Sequence, residues 1–248
     1  MGGVVTPPVL RLEGLSLGYP DRTLFRGLTM DLLPGQTLAV LGSNGSGKTS
    51  LVKALLGLLA PLSGRILWPA GRPPEIGYLG QTGAFDRRFP MRVRDLAAMG
   101  AWARGGGLGR TGRARVRAAL EEVGIADLAD RPLHALSGGQ LQRALFARVI
   151  VQDAPLMLLD EPFAAVDQAT EGDLLALIER WRAEGRVVLL VVHDLSAVLE
   201  RCTHALLLGA GEAAHGTVDE IVTEARLVAQ GYLSESQAVW TFGRRARA

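Results

Sequence analysis

The segment "TLAVLGSNGSGKTSLVKALLGLL", Thr37–Leu59, constrains the fold of this chain more than any other. An apolar run, a glycine-rich turn and an amphipathic helical pattern follow one another without a break. The turn, Gly42–Thr49, fits G-x-x-x-x-G-K-[ST] in the strand–loop–helix context that the motif requires. Glycines let main-chain N–H groups turn inward around an anion, where a Cβ would obstruct them. The helix N-terminus adds the positive end of a dipole. Lys48 supplies a point charge for β- and γ-phosphates, and Thr49 offers a hydroxyl to Mg²⁺.

A loop of this kind rests on a sheet, and the sequence supplies one. Apolar runs that read as strands are "VLRLEGLSL", "QTLAVLG", "RILW", "IGYLG", "LMLLD", "RVVLLVV" and "HALLLG". Helical patterns alternate with several of them. One runs from Lys48 to Leu59 and another from Gln168 to Ala183, where Leu174, Leu177, Ile178 and Trp181 share a face. This alternation predicts an α/β fold with a mixed, mostly parallel core sheet covered on both faces. From Arg87 to Val151 the patterns are helical, which predicts a helical subdomain inserted into a nucleotide-binding core of about 1–86 and 152–225. Residues 226–248 read as a C-terminal tail, ending in a loose basic "TFGRRARA".

Composition narrows the function classes. The longest apolar run, "VVLLVV", falls far short of the roughly 20 residues that span a bilayer. The N-terminus lacks the basic and apolar stretches of a secretory signal. The single Cys202 excludes an intramolecular disulfide and a multi-cysteine metal site. Together these point to the cytoplasm. Of the 27 basic residues only Lys48 and Lys53 are lysines. The densest basic stretch, "ARGGGLGRTGRARVR" at 103–117, reads as a solvated surface loop. It has no interleaved aromatics to stack on bases, so no nucleic-acid partner is expected, and no strand precedes its glycines, which excludes a dinucleotide site.

Two further motifs carry chemistry. "LMLLDEP" is an apolar strand ending in two acids. Asp160 stands where it can hold a Mg²⁺ shell, and Glu161, one residue beyond, where it can orient and deprotonate a water. "LSGGQLQRALFARVIV" begins with Ser137 as an N-cap and Gln140 completing an S-x-x-Q capping box, worth about 1 kcal/mol. Capping does not explain Gly138 and Gly139, each disfavoured in a helix. Together they leave bare N–H groups for a closely approaching group, and a phosphate fits.

"LSGGQ" at 136–140, with the phosphate loop before it and "LMLLDEP" after it, resembles the ATP-binding subunits of ABC transporters over about residues 9–225. The resemblance implies an N-terminal antiparallel β region beside the core. It also implies a homodimer on ATP binding, in which Ser137, Gly138, Gly139 and Gln140 of one subunit close over the γ-phosphate held by the other. The phosphate loop would contribute Gly42, Ser43, Asn44, Gly45, Ser46, Gly47, Lys48, Thr49 and Ser50. By the same resemblance Tyr19 stacks on adenine, and Gln81 contacts Mg²⁺ and water, although Gly80 stands where relatives often carry proline. Asp167 crosses the dimer interface, with Ala164 in place of a frequent serine. His193 contacts the γ-phosphate; His134, His204 and His215 match nothing. Catalysis is thereby assigned to Glu161, His193, Lys48 and Gln81, and Mg²⁺ binding to Thr49, Gln81 and Asp160.

The segment between phosphate loop and signature is about ninety residues without heptads. That argues against family members of DNA repair and chromosome structure, which carry long coiled coils, and a single phosphate loop argues against the two-ATPase translation members. The expectation is an ATPase subunit on the cytoplasmic side of the cell membrane, serving an integral membrane permease and, through it, a metal-binding extracytoplasmic protein. "FDRRFPMRVRDLAAMG" resembles the corresponding segment of zinc and manganese importers, with zinc ahead. An iron-chelate importer and a soluble ATPase of iron-sulphur assembly are the alternatives.

Overall fold

In the computed structural model, the strand leading into the phosphate loop, β3 (Thr37–Gly42), is buried at every residue. A strand covered on both faces needs apolar side chains on both, so its run is continuous instead of alternating. β7 (Val187–Val191) lies parallel to it on one side, with Thr37 opposite Val188. β8 (His204–Gly209) lies parallel on the other, with Leu38 opposite His204. β9 (Glu212–Thr217) pairs antiparallel with β8. The structure describes residues 6–81, 86–104, 109–164, 166–192, 195, 198 and 201–245.

The chain divides into two compact units, residues 1–73 with 187–248, and residues 74–186. Besides the strands around β3, the first unit holds an antiparallel sheet of order β2-β1-β4, formed by β1 (Leu10–Tyr19), β2 (Arg22–Leu32) and β4 (Ser63–Leu67). The second pairs β5 (Ile76–Leu79) in parallel with the fully buried β6 (Leu156–Asp160). Its helices are α2 (Val93–Ala98), α3 (Arg110–Glu122), α4 (Gly138–Gln152) and α5 (Gln168–Ala183). The fold class is the expected one: α/β, mostly parallel core strands, an antiparallel N-terminal region and a helical stretch.

Several elements depart from the sequence reading. β2 and β9 have no counterpart among the apolar runs. In β2 the inward set changes phase between Phe25 and Leu28, where a bulge at Gly27 hands its N–H to Ser16 Oγ at 3.1 Å. The alternation is therefore broken in mid-strand. β9, "EAAHGT", is poor in the residues that mark strands. α1 (Lys48–Leu55) ends four residues before Leu59. Gly57 N–H bonds to Ala54 O at 3.0 Å and Leu58 N–H to Lys53 O at 2.8 Å, the two bonds of a Schellman stop. The stretch expected as a basic surface loop is helix α3 from Arg110 onward, because Val116, Ala119 and Leu120 give it a buried face. The end expected as a loose tail is helical from Glu235 to Arg245. Ser234 and Gln237 form its capping box, with N–H to side-chain bonds of 2.9 and 3.3 Å.

α5 has the predicted bounds and the predicted buried face of Leu174, Leu177, Ile178 and Trp181. Trp181 stacks on Phe146 of α4 with ring centroids 6.4 Å apart. In α2, Val93 and Leu96 are fully buried and Met99, which follows the helix, is half-buried.

At the start of β8, the His204 ring lies between Gln36 Nε2 (3.2 Å) and Thr203 Oγ1 (3.0 Å). Burial holds its pKa below 6.5, helped by His215 and opposed by Glu220. The unfolded chain therefore binds a proton before the native one as pH falls below 6.5, and stability declines across that window down to the lowered native value. Melting temperatures between about pH 7 and pH 5.5 should fall less steeply in His204→Gln than in the wild type. Equal slopes would assign the acid sensitivity to another group.

Candidate functional site

The phosphate loop emerges from the C-terminal end of β3, the end at which open parallel sheets bind ligands. Gly42 stands at φ +152°, and a Cβ there would lie 2.4 Å from both Leu208 O and Ser46 Oγ. Glycine is thus required by space as well as by conformation. Gly47, at φ +114°, opens α1. Lys48 is 7% exposed and its Nζ donates to Gly42 O at 2.6 Å and Ser43 O at 3.1 Å, so the ammonium is folded against the loop's own carbonyls. Ser46 Oγ is buried with no hydrogen-bond partner among the described residues. A cradle that a Cβ would fill, a cation at its rim and an orphaned hydroxyl inside it fit a nucleotide's phosphates.

Thr49 is exposed at the head of α1, whereas Ser50 is buried. The Tyr19 hydroxyl lies 3.4 Å from Ser50 Oγ. Tyr19 closes β1 and is 46% exposed, so this aromatic stands at the surface beside the loop.

In the second unit, β5 runs into Gln81 and β6 into Asp160 and Glu161. Parallel pairing brings the two strand ends together, and Gln81 Nε2 donates to Glu161 Oε1 at 3.0 Å across 80 positions of sequence. Asp160 is 1% exposed. Burial, then the negative charge of Asp160, pushes the Tyr78 phenol above its ordinary pKa. Glycine at position 80 has a local reason: a side chain there would meet the Tyr78 hydroxyl at 2.8 Å. Glu161 stands at φ +54°, a left-handed conformation that costs a non-glycine residue about 1–3 kcal/mol. Its carbonyl accepts from Ala164 N–H at 3.2 Å, closing the turn.

α4 begins as the sequence predicts. Ser137 Oγ accepts from Gln140 N–H at 3.2 Å, and Gln140 Oε1 accepts from Ser137 N–H at 3.0 Å. The two polar side chains of the signature are thus each engaged with the other residue's main-chain N–H, leaving the amides of the glycine turn as its presented donors. Asp167 caps α5: Oδ1 accepts from Thr170 N–H at 2.8 Å and Oδ2 from the Thr170 hydroxyl at 3.0 Å. Those bonds, the main-chain one first, hold its carboxyl below the usual range. His193 lies outside the described residues.

The sequence reading passed over two residues here. Gln142 is fully buried on the apolar stripe of α4 with Leu145, Phe146 and Val149, and its Nε2 donates to Pro162 O at 2.5 Å. The next residue, Arg143, donates to Thr170 Oγ1 at 2.9 Å, Asp173 Oδ2 at 3.1 Å and Val123 O at 2.8 Å. A glutamine at i beside apolar i+3, i+4 and i+7 was the available signal for the first.

A phosphate cradle at the end of a parallel strand defines a P-loop nucleotide-binding protein. A family model described as ABC transporter matches residues 25–164. The zinc transport system ATP-binding protein TroB of Treponema pallidum is 37% identical over 88% of this chain and 85% of its own length. The manganese transport system ATP-binding protein MntB of Bacillus subtilis is 34% identical, over 86% and 88%. Among solved structures, an inward-facing ABC transporter assigned to the metal-chelate type superposes with a TM-score of 0.82 at 31% identity, covering 91% of this chain and 90% of that one. The chain belongs to the ABC transporter family. It is an ATPase of that family, and its hydrolysis of ATP is coupled to transport.

Proposed function

We propose that this chain is the ATPase subunit of an importer for a divalent metal cation, zinc before manganese, acting on separate permease subunits at the cytoplasmic face of the membrane. The observation that carries this reading is similarity to zinc and manganese transport ATP-binding proteins along nearly the whole chain, well beyond the shared motifs. Zinc stands first on the higher identity of its relative. No helix among the described residues is long and apolar enough to cross a membrane, in keeping with a permease made by other chains. An extracytoplasmic metal-binding protein would deliver the cargo.

The roles of the residues follow from their chemistry. Tyr19 stacks on the base, and the amides of residues 42–50 with Lys48 hold the phosphates. Thr49, Gln81 and Asp160 are the oxygen-bearing side chains that would hold Mg²⁺, which would offset negative charge on the nucleotide's phosphates. Glu161 takes a proton from an in-line water, and His193 and Lys48 balance charge on the transferring phosphoryl group. The N-terminus of α4 from a second copy, Ser137–Gln140, closes over the γ-phosphate, and Asp167 lies at that junction. Loss of the γ-phosphate releases the dimer.

Uptake of labelled zinc and manganese tests the cargo, in cells lacking the gene and complemented with either the intact gene or Lys48→Ala. Zinc uptake should fall and return only with the intact gene. Loss of manganese uptake alone would reverse the order of the two metals. Loss of growth on an iron chelate would favour the chelate-importer reading, which the superposed metal-chelate transporter supports. No change in any transport would leave the soluble iron-sulphur ATPase as the reading to pursue.

A further inference from the structure

Two and three residues beyond the signature, α4 grips the segment between Asp160 and Thr170 at both ends. Gln142, fully buried, donates to the carbonyl of Pro162, the residue after Glu161. Arg143 donates to the hydroxyl of Thr170, whose N–H and hydroxyl are also held by Asp167. A third bond from Arg143 reaches Asp173 in the next turn of α5. Two successive side chains of one helix therefore fix the residue after the acid pair and the first turn after Asp167.

The conformation of the residue just before the first anchor makes that anchor consequential. Glu161 is left-handed at φ +54°, and a non-glycine residue keeps such a conformation only where its surroundings over-determine it. Its carboxylate is held from one side by Gln81, and the carbonyl of the next residue, Pro162, from the other by Gln142. A carboxamide buried on an otherwise apolar stripe is anchored by that bond, and an apolar replacement would leave the Pro162 carbonyl without this donor. The bond also fixes the distance between the α4 backbone and the Pro162–Phe163 peptide, one residue beyond Glu161.

We propose that Gln142 and Arg143 are positioning residues that transmit displacement of the α4 N-terminus to Glu161 and Asp167 of the same chain. The inference rests on the reading above, in which that N-terminus takes a γ-phosphate bound by a second copy and Glu161 activates water. A phosphate docked on Ser137–Gln140 then sets the geometry of the base that serves the chain's own nucleotide. The two nucleotide sites of a dimer are thereby coupled, and hydrolysis rises cooperatively with ATP concentration.

The experiment is steady-state ATP hydrolysis by the full chain, titrated with ATP, for the wild type, Gln142→Met, Arg143→Lys and Glu161→Gln, with nucleotide affinity measured separately by a fluorescent ATP analogue. The wild type should show a Hill coefficient above 1. Gln142→Met should lower kcat by about 10- to 100-fold, because a displaced base costs rate and not binding. KM should stay within about twofold and the Hill coefficient fall to 1. If Gln142→Met does not fold, Arg143→Lys carries the test: it keeps the charge, loses the fork to Thr170 and Asp173, and should lose cooperativity with nucleotide affinity unchanged. A purely structural role would lower the melting temperature and leave the Hill coefficient alone. Wild-type kcat and Hill coefficient in both variants, or a Hill coefficient of 1 in the wild type, overturn the coupling. Normal turnover in Glu161→Gln overturns the assignment of the base instead, and the coupling falls with it.

Discussion

Glu161→Gln should bind ATP as the wild type does and hydrolyse it about 10²–10⁴ times more slowly, the usual contribution of a positioned general base. The substitution keeps the side chain's shape and leaves an oxygen where Glu161 Oε1 now accepts from Gln81 at 3.0 Å. The left-handed backbone at φ +54° is equally accessible to glutamine, so the turn is preserved. What is removed is the negative charge and, with it, proton abstraction. Since release of the dimer is proposed to need loss of the γ-phosphate, the variant should accumulate as a dimer in ATP and run as a monomer without it. Size-exclusion chromatography with and without ATP, beside a phosphate-release assay, checks both halves. Turnover at the wild-type rate would remove Glu161 from the base role.

Lys48→Ala should be worse at every stage. A hydrogen bond to a charged group contributes about 1.5–3 kcal/mol, so ATP affinity should fall on the order of 10- to 100-fold. Loss of charge stabilisation during transfer should cost about a further 10²–10³ in rate. Stability should change as well. Lys48 Nζ donates to Gly42 O and Ser43 O, and truncation leaves those acceptors without that donor, at a cost of about 1–3 kcal/mol where they are buried. Lys48→Arg is not expected to rescue binding, because a planar fork does not replace a compact ammonium in so tight a loop. Titration with a fluorescent nucleotide and a thermal melt measure the two effects. Near-wild-type affinity in Lys48→Ala would show that the main-chain amides alone hold the phosphates.

The contrast between what was legible in the sequence and what was not follows sequence separation. The strand–turn–helix at residues 37–55, the capping box at Ser137 and the face of α5 are written in residues a few positions apart, and the structure returns them as read. The end of α1 is equally local but turns on Gly57 at φ +73°, which an apolar run on either side disguises. β2 was concealed by a bulge that changes its phase, and β9 by residues that pair through the backbone with little side-chain burial. The candidate site contained a deeper silence. Gln81 and Glu161 meet only because β5 and β6 pair in parallel, and Gln142 reaches Pro162 only because α4 packs where it does. Motif spacing names such residues one at a time; it does not say which of them touch.

The capping box at the head of α4 bears on how related chains should be compared. Ser137 and Gln140 close on each other, so helix stability alone constrains both positions, whatever approaches from outside. Persistence of those two letters among diverged sequences therefore reports a well-started helix first. Gly138 and Gly139 carry no such obligation, and alanine would make the better helix. Where an alignment keeps the serine and glutamine but lets the glycines drift, the helix survives and the proposed anion seat does not. On the proposed function, the two glycines are the letters by which a working signature can be told from a relic.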